Sequence, residues 1–128
     1  MKVLLDTHVV LWALEDPALL SRDMIDLLEA RPRASLAVSV ASLWEIAIKM
    51  AKGKLRAPDN LPELLARDGF DLLPVTPKHA WAVKDVPRNL SQKDPFDRLI
   101  FTQAKLDGFV LATRDEALLR SGLDVVSA

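Results

Sequence analysis

Short apolar runs alternate with stretches of helical periodicity along this sequence, and that alternation restricts the fold more than any other feature. Five of the runs are predicted to be strands, at residues 3–5, 36–39, 70–75, 109–112 and 123–126. Strands separated by helices are typical of a parallel sheet with helices packed on its faces. The sequence therefore predicts an α/β fold, with a central parallel sheet of about five strands flanked by helices.

Capping residues and glycines predict where the helices begin and end. Thr76-Pro77 and Asp94-Pro95 each place a capping side chain before a proline, and Gly108 ends the helix that Asp94 opens. The predicted helices cover about 9–14, 21–29, 42–52, 60–67, 76–84, 94–107 and 115–120, with a loop over 86–93. Because no repeat or linker is visible, residues 1–128 are expected to form a single domain.

Composition narrows the functional classes. The 128 residues include no cysteine, so disulfides, zinc–thiolate sites and thiol nucleophiles are excluded. Seventeen Lys and Arg against eighteen Asp and Glu leave a net charge of −1, so nucleic acid could be bound only through a local basic patch or held cations. The sequence shows neither a signal peptide nor a membrane span, and we expect a cytoplasmic protein.

Four carboxylates stand where a predicted strand gives way to a helix or where a helix begins, namely Asp6, Glu45, Asp97 and Asp115. Ligands of open α/β sheets bind at the carboxyl ends of the strands, where such positions meet. Ordinary capping is an alternative for three of them. Asp6 can cap the helix that follows it, and Asp115 suits the first turn of its own helix. Ser42 and Glu45 have the spacing of a capping box, and Glu45 could also pair with Lys49.

Asp97 has no such simple explanation. It shares a helical stripe with the apolar residues Ile100, Phe101 and Ala104. A carboxylate that faces a core is costly unless it is paired, hydrogen-bonded or bound to a metal. Since Asp94 can cap this helix, a functional role is favoured for Asp97.

Considered together, the acids predict a metal site. Several strand ends would each bring a carboxylate to one edge of the sheet, where uncompensated negative charges repel each other. Mg²⁺ or Mn²⁺ would relieve the repulsion, because both prefer carboxylate and water ligands. Such ions could ready a water for attack in phosphodiester cleavage.

Four sequence blocks then follow one another in order: LLDTHVVLW at 4–12, SVASLWEIAIK at 39–49, KDPFDRLIFTQA at 93–104 and LATRD at 111–115. Together they resemble the blocks of PIN-domain ribonucleases, and the third is similar to a block of VapC-like toxins from VapBC toxin–antitoxin pairs. The resemblance covers nearly the whole chain. It implies the PIN fold and an endoribonuclease that depends on Mg²⁺ or Mn²⁺, acting as a toxin on RNA.

For individual residues, the resemblance implies an acidic metal pocket that carries catalysis, made of Asp6, Glu45, Asp97 and Asp115. Thr7 and Thr113 match hydroxyl positions near that pocket, where they would hold a water or a carboxylate. Asp94 is a further supporting candidate. The implied partners are a VapB-like antitoxin, which would block the pocket, and a second copy of the chain in a homodimer.

Other residues have two interpretations each. Arg98 and Arg114 flank proposed acids and could contact RNA phosphate or form ordinary surface ion pairs. His8 is interpreted as a helix-surface or packed histidine, because hard-metal sites do not need imidazole. The three tryptophans are expected in the core or an interface rather than as base-stacking platforms, since aromatic residues make up only 5% of the chain.

Two functions of other classes compete with the nuclease. One is a catalytically inactive PIN-like binding module, against which the presence of all four acids argues. The other is a receiver-type signalling domain, which should carry an acidic pair after the first strand and a lysine after the fifth. Here the first strand is followed by Asp6 alone, and no lysine follows the fifth.

Overall fold

A five-stranded, entirely parallel sheet forms the centre of the protein in a computed structural model, which describes residues 2–30, 35–87, 94–119 and 125–128. The strands are β1 (Lys2–Leu5), β2 (Ser35–Ser39), β3 (Asp71–Leu73), β4 (Val110–Thr113) and β5 (Val125–Ser127). Their order across the sheet is β3-β2-β1-β4-β5. The chain builds one half of the sheet outward from β1 and then crosses back, so the direction of winding reverses between β1 and β4.

Helices connect the strands and cover the sheet. In the described ranges they are α1 (Thr7–Glu15), α2 (Arg22–Glu29), α3 (Val40–Ala51), α4 (Leu61–Arg67), α5 (Pro77–Ala82), α6 (Pro95–Asp107) and α7 (Glu116–Leu119), with 3₁₀ turns at Pro17–Leu19 and Val83–Asp85. None of these helices is long and apolar enough to cross a membrane. The predicted α/β fold with about five parallel strands is confirmed.

Successive residues of β1 enter two different apolar cores, one on each face of the sheet. Val3 and Leu5 pack in the core that includes side chains of α1, α2 and α4. Leu4 packs in the other core, together with Ile100 and Phe101 of α6. Val3, Leu4 and Leu5 have no exposed surface. A strand covered on both faces reads as a continuous apolar run, which is why this segment shows no polar alternation.

Some element boundaries differ from the expectations. The third helix begins at Val40 rather than Ser42, because the Ser39 hydroxyl accepts a hydrogen bond of 2.9 Å from the Ala41 N–H and caps the helix. β3 ends at Leu73, before Pro74, since proline has no N–H to donate to the strand ladder. Most of the predicted loop over 86–93 lies outside the described residues, as do the first two residues of the predicted fifth strand and the last of the predicted helix over 115–120.

The two ends of α6 are set by the residues that the sequence indicates. Asp94 Oδ1 accepts a hydrogen bond of 2.7 Å from the Phe96 N–H and caps the helix. Gly108 follows its C-terminus with a φ of 73°, in the left-handed region. Because α6 ends just before β4 begins, its N-terminus lies toward the carboxyl edge of the sheet, where β4 ends.

Gly108→Ala is expected to lower the free energy of unfolding by about 1–2 kcal/mol, because the left-handed conformation is strained for a residue with a Cβ. An added Cβ would meet no atom within 4 Å, so backbone strain alone contributes. Guanidinium denaturation measures the change. Gly108→Asn is the matched control and should lose less, since asparagine tolerates this conformation. An alanine variant as stable as the wild type would contradict the argument.

Candidate metal centre

The carboxyl edge of the sheet brings the four predicted acids together near the point where the winding reverses. Asp6 directly follows β1, and Asp115 lies two residues beyond its neighbour β4. Glu45 comes from α3, which begins directly at the end of β2, and Asp97 from the first turn of α6. The charges of the other three acids all act on the Asp97 carboxyl, which shows that the four form one cluster. Crevices at such reversal points are the usual ligand sites of open α/β sheets.

Asp6 occupies the N-cap position of α1, but its side chain makes no capping hydrogen bond to the first turn of this helix. Its Oδ2 instead accepts a hydrogen bond of 2.9 Å from the Thr113 hydroxyl. Thr113 Oγ1 also accepts from the Asp115 backbone N–H at 3.1 Å. The hydroxyl therefore links Asp6 to the segment that carries Asp115, so Thr113 holds a carboxylate, which is one of its two predicted roles.

Glu45 is buried in the second turn of α3, with 5% of its surface exposed. The capping-box interpretation is wrong, because Ser42 lies inside the helix and its Oγ is 2.9 Å from Thr7 Oγ1. Thr7 therefore ties α1 to α3 through Ser42. The alternative pairing is confirmed, since Glu45 Oε2 accepts a hydrogen bond of 3.1 Å from Lys49 Nζ.

Asp94 and Asp115 both act as helix caps. Asp94 Oδ1 accepts from the Asp97 N–H at 3.4 Å in addition to its shorter bond in the same turn. Asp115 Oδ1 accepts from the Leu118 N–H at 3.2 Å at the start of α7. Capping does not remove either residue from the acidic cluster, because both carboxylates contribute to raising the pKa of Asp97.

Negative charge is concentrated around Asp97. Burial and four neighbouring carboxylates raise the pKa of Asp97 to about 7. Burial is the largest cause, followed in decreasing order by Asp6, Asp94, Glu45 and Asp115. Burial also raises the pKa of Asp6, while the Thr113 hydrogen bond opposes the shift. The described side chains therefore compensate the charge of this cluster only in part.

Two buried carboxylate oxygens, Asp6 Oδ1 and Glu45 Oε1, have no hydrogen-bond partner among the residues that the structure describes. Leaving such an oxygen dry and unpaired is costly, so a missing partner is expected. Oxygen donors in an acidic cluster suit Mg²⁺ or Mn²⁺. Within the described ranges no three His, Asp or Glu side chains are already arranged to hold an ion, so water would supply further ligands, as it commonly does for Mg²⁺.

The two arginines beside the acids have structural partners. Arg98 Nη2 lies 3.4 and 3.3 Å from the carbonyl oxygens of Val83 and Val86, and so tethers α6 to the segment after α5. The Arg114 guanidinium lies over the Trp12 ring, 4.3 Å from its centroid. Contact with RNA by either arginine stays a prediction.

The positions of His8 and of two tryptophans test what was expected of these residues. His8 is an exposed residue of α1 that stacks on Trp12, with ring centroids 5.8 Å apart, so the surface interpretation is confirmed. Trp44 and Trp81 are 59% and 73% exposed, so the core alternative is excluded for both and an interface position stays a prediction. Exposure depends on which elements cover a face, and the sequence pattern does not show that.

A buried chain of hydrogen-bonded polar side chains, which the sequence pattern did not predict, joins α3, α5 and α6. Gln103 Oε1 accepts from the Ser39 hydroxyl at 2.5 Å, and Gln103 Nε2 lies 3.5 Å from His79 Nδ1. His79 Nδ1 accepts from the Thr76 N–H at 3.1 Å, which leaves Nε2 to donate to Asp107 at 2.9 Å. These hydrogen bonds hold α6, which carries Asp97, against α3, which carries Glu45. The signal was the capping-box spacing of Thr76 and His79, with histidine in place of the usual Glu or Gln.

The sequence and fold match known proteins. The family model of the PIN domain matches residues 3–122. A toxin–antitoxin complex from Klebsiella pneumoniae superimposes with a TM-score of 0.68 at 20% identity, covering 98% of this chain and 97% of that chain. VapBC2 from Rickettsia felis, bound to a promoter DNA fragment, gives 0.71 at 19% identity over 99% and 98%. DNA-bound VapBC from Salmonella typhimurium gives 0.67 at 21% identity over 99% and 98%. No curated protein matches the chain.

Asp97→Asn is expected to stabilise the metal-free protein at pH 8. Between pH 4 and 7 the unfolded chain loses the Asp97 proton while the native protein keeps it, so stability falls as the pH rises through this window, up to the native pKa of about 7. Asparagine removes that penalty, by about 1–2 kcal/mol after allowance for solvent screening of this partly exposed group. Near pH 4 the variant and the wild type should converge.

Urea denaturation in EDTA at the two pH values measures the effect. Asp59→Asn is the matched control, because Asp59 is exposed and lies outside the cluster. If both variants changed stability equally at pH 8, the burial of Asp97 and the repulsion within the cluster would be refuted as the cause.

Proposed function

The chain belongs to the PIN domain family, and from this membership and its acidic cluster we propose that it is a divalent-metal-dependent endoribonuclease. One observation carries the proposal: two buried carboxylate oxygens, on Asp6 and Glu45, lack partners in the described chain inside a cluster whose charge is only partly compensated. A structural cluster would be expected to satisfy its buried oxygens internally. A binding site for a cation leaves them available.

The residues that would hold Mg²⁺ or Mn²⁺ are Asp6, Glu45, Asp97 and Asp115. When bound, the ion would ready a water for attack on the phosphodiester and stabilise the charge that develops on the leaving oxygen. The protein's own part is to orient the acids. Thr113 holds the Asp6 carboxylate by its hydrogen bond to Oδ2, and Lys49 holds Glu45 by its contact with Oε2. In both acids the other oxygen is the one left for the ion.

Asp97 supplies a proton that cation binding must release. Its carboxyl has a pKa of about 7, so roughly half of the metal-free molecules carry this proton at neutral pH. Because metal ligands must be deprotonated, protons and cations compete for the cluster. The same competition would make activity fall on acidification below neutral pH.

The affinity for Mn²⁺ is therefore expected to rise about tenfold between pH 6 and 8, since Asp97 changes from mostly protonated to mostly ionised across its pKa. Isothermal titration calorimetry measures both affinity and the protons released. In Asp97→Asn the remaining affinity should be weaker and should vary less with pH. Equal pH dependence in variant and wild type would remove Asp97 from the ion site.

The direct test is cleavage of total bacterial RNA by the purified chain, with Mg²⁺ or Mn²⁺ against EDTA. Asp6→Asn and Asp97→Asn should each lower cleavage on the order of a hundredfold or more, because each removes a charge that holds the ion. Asp59→Asn and Glu63→Gln, both exposed and outside the cluster, should cut like the wild type. A folded, metal-loaded protein that cuts none of a range of RNAs would favour the inactive binding module instead.

We also propose that residues 1–128 form one PIN domain that acts as a toxin held in check by an antitoxin protein, as a homodimer. Three proteins of the same fold that are described as toxin–antitoxin or VapBC complexes support this assignment. Large apolar side chains left exposed, such as Trp81 and Leu106, are suited to partner contacts. Induced expression of the wild type should arrest bacterial growth, and expression of Asp6→Asn should not. Light scattering on the purified chain tests the dimer.

A further inference from the structure

The two helices that carry Glu45 and Asp97 meet through contacts of two kinds. Apolar side chains of both helices, among them Ala41 of α3 and Ile100 of α6, belong to one core. Apolar contacts are non-directional, so they fix the rotation and the axial shift of one helix on the other less sharply than a hydrogen bond does. Directional contacts therefore matter most for the separation of the two carboxylates.

One directional contact lies close to the acids. Trp44 of α3 packs edge-to-face against Phe96 of α6, with ring centroids 5.0 Å apart at 77°, and we call these two rings the aromatic pair. Each ring directly precedes a proposed metal ligand in sequence, Trp44 before Glu45 and Phe96 before Asp97. The aromatic pair therefore reports how far apart these two segments are held. A single contact of this kind still lets the helices pivot about it.

Gln103 supplies a second directional contact, deeper in the fold. Its side chain is fully buried, and its Oε1 accepts a hydrogen bond of 2.5 Å from the Ser39 hydroxyl. The same hydroxyl accepts from the Ala41 N–H at 2.9 Å and caps α3. Ser39 precedes Glu45 by six residues, and Gln103 follows Asp97 by six. The bond thus links the start of the helix that carries one acid to the middle of the helix that carries the other.

Both ends of the Gln103 amide are used, which fixes its orientation. Nε2 donates to the Pro74 carbonyl at 3.1 Å, and because a carbonyl can only accept, Oε1 is the end that faces Ser39. Nε2 also lies 3.5 Å from His79 Nδ1 on α5. Buried polar groups that are satisfied in this way rigidify a structure and specify one arrangement. Gln103 is therefore a rigid link between α6, the start of α3 and the segment that leads into α5.

We infer that Gln103 is a positioning residue of the proposed metal centre. Through its bond to Ser39 it fixes the orientation of α3 on α6, and so sets the separation of Glu45 and Asp97. The inference rests on the proposed metal-dependent function and extends it to a residue outside the acidic cluster. Without the bond the helices can shift about the aromatic pair. The ion would then be held more weakly, because Mg²⁺ demands near-ideal octahedral geometry and a site must be preorganised to supply it.

The first measurement is Mn²⁺ affinity, by isothermal titration calorimetry on the full chain at pH 8. Gln103→Met keeps an unbranched side chain but removes its hydrogen bonds, and it should weaken Mn²⁺ binding about fivefold. Groups that directly contact a metal ligand are worth roughly ten- to a hundredfold, and Gln103 acts at one remove. Ser39→Ala should weaken binding to a similar extent. Ser39→Thr keeps the hydroxyl and the cap, so it should keep most of the affinity.

Ser21→Ala is the matched control. Ser21 Oγ accepts from the Met24 N–H at 3.1 Å and caps α2, and it also donates to the Ser127 carbonyl at 3.1 Å. It therefore makes the same two kinds of bond as Ser39, but on a helix that carries none of the proposed ligands. Both alanine variants should unfold at lower urea concentration, and only Ser39→Ala should also bind Mn²⁺ more weakly. Lower stability by itself leaves the affinity unchanged while nearly all molecules stay folded.

A measurement without metal separates this inference from the metal centre itself. Nuclear Overhauser effects between the rings of Trp44 and Phe96 report the aromatic pair in the metal-free protein. They should lose intensity in Gln103→Met and in Ser39→Ala, and they should match the wild type in Ser21→Ala.

Two results would overturn the inference and leave the metal centre in place. One is an Mn²⁺ affinity that Gln103→Met and Ser39→Ala leave at the wild-type value, and the other is an equal loss of affinity in Ser39→Ala and Ser21→Ala. If Gln103→Met does not fold, the two Ser39 variants decide, since equal affinities for alanine and threonine would also overturn it. A wild type that binds no Mn²⁺, while the substitutions still loosen the aromatic pair, would overturn the metal centre and keep the alignment of α3 on α6 by Gln103.

Discussion

Repulsion between carboxylates at one edge of the sheet is the interaction on which the rest of this site depends. Together with burial, which is the largest cause, the carboxylates of Asp6, Asp94, Glu45 and Asp115 raise the pKa of Asp97 to about 7. The free-energy cost of this cluster is offset by packing elsewhere in the fold, here by a sheet that is buried on both faces. The proposed divalent cation would remove the repulsion and supply a partner to the unpaired oxygens together.

Two polar networks keep the acids in place while their charges push apart. Near the cluster, the hydroxyl of Thr113 holds Asp6, and the pair of Thr7 and Ser42 joins α1 to α3. Farther away, the chain from Ser39 through Gln103 to His79 ties α3, α5 and α6 together inside the fold. Buried networks that are well satisfied make a structure rigid. The polar groups of these networks are largely hydrogen-bonded, whereas the two carboxylate oxygens beside them lack partners among the described residues.

The proposed ribonuclease activity poses an electrostatic problem, because the acidic site and an RNA substrate would carry the same sign of charge. In the described structure, the acidic side chains and the basic side chains lie in separate places. The carboxylates gather at the sheet edge, and Lys49, Lys52 and Lys54 line a groove beside Glu45 and Asp94. The net charge of −1 therefore does not argue against the proposed RNA substrate, since the arrangement of a few charges matters more than their sum.

The sequence by itself determined the elements, because caps and apolar runs are local signals. It indicates the buried strand at 3–5, the helix from Asp94 to Gly108, and four acids at strand or helix ends. Only the tertiary structure decided how these elements meet. Ser42 and Glu45 satisfy the local rule for a capping box, yet Ser39 ends β2 and begins α3 earlier, so that Ser42 contacts Thr7 and Glu45 joins the acids. The exposure of Trp44 was decided in the same way. Burial and proximity arise from contacts between residues far apart in the chain, and a local pattern cannot contain them.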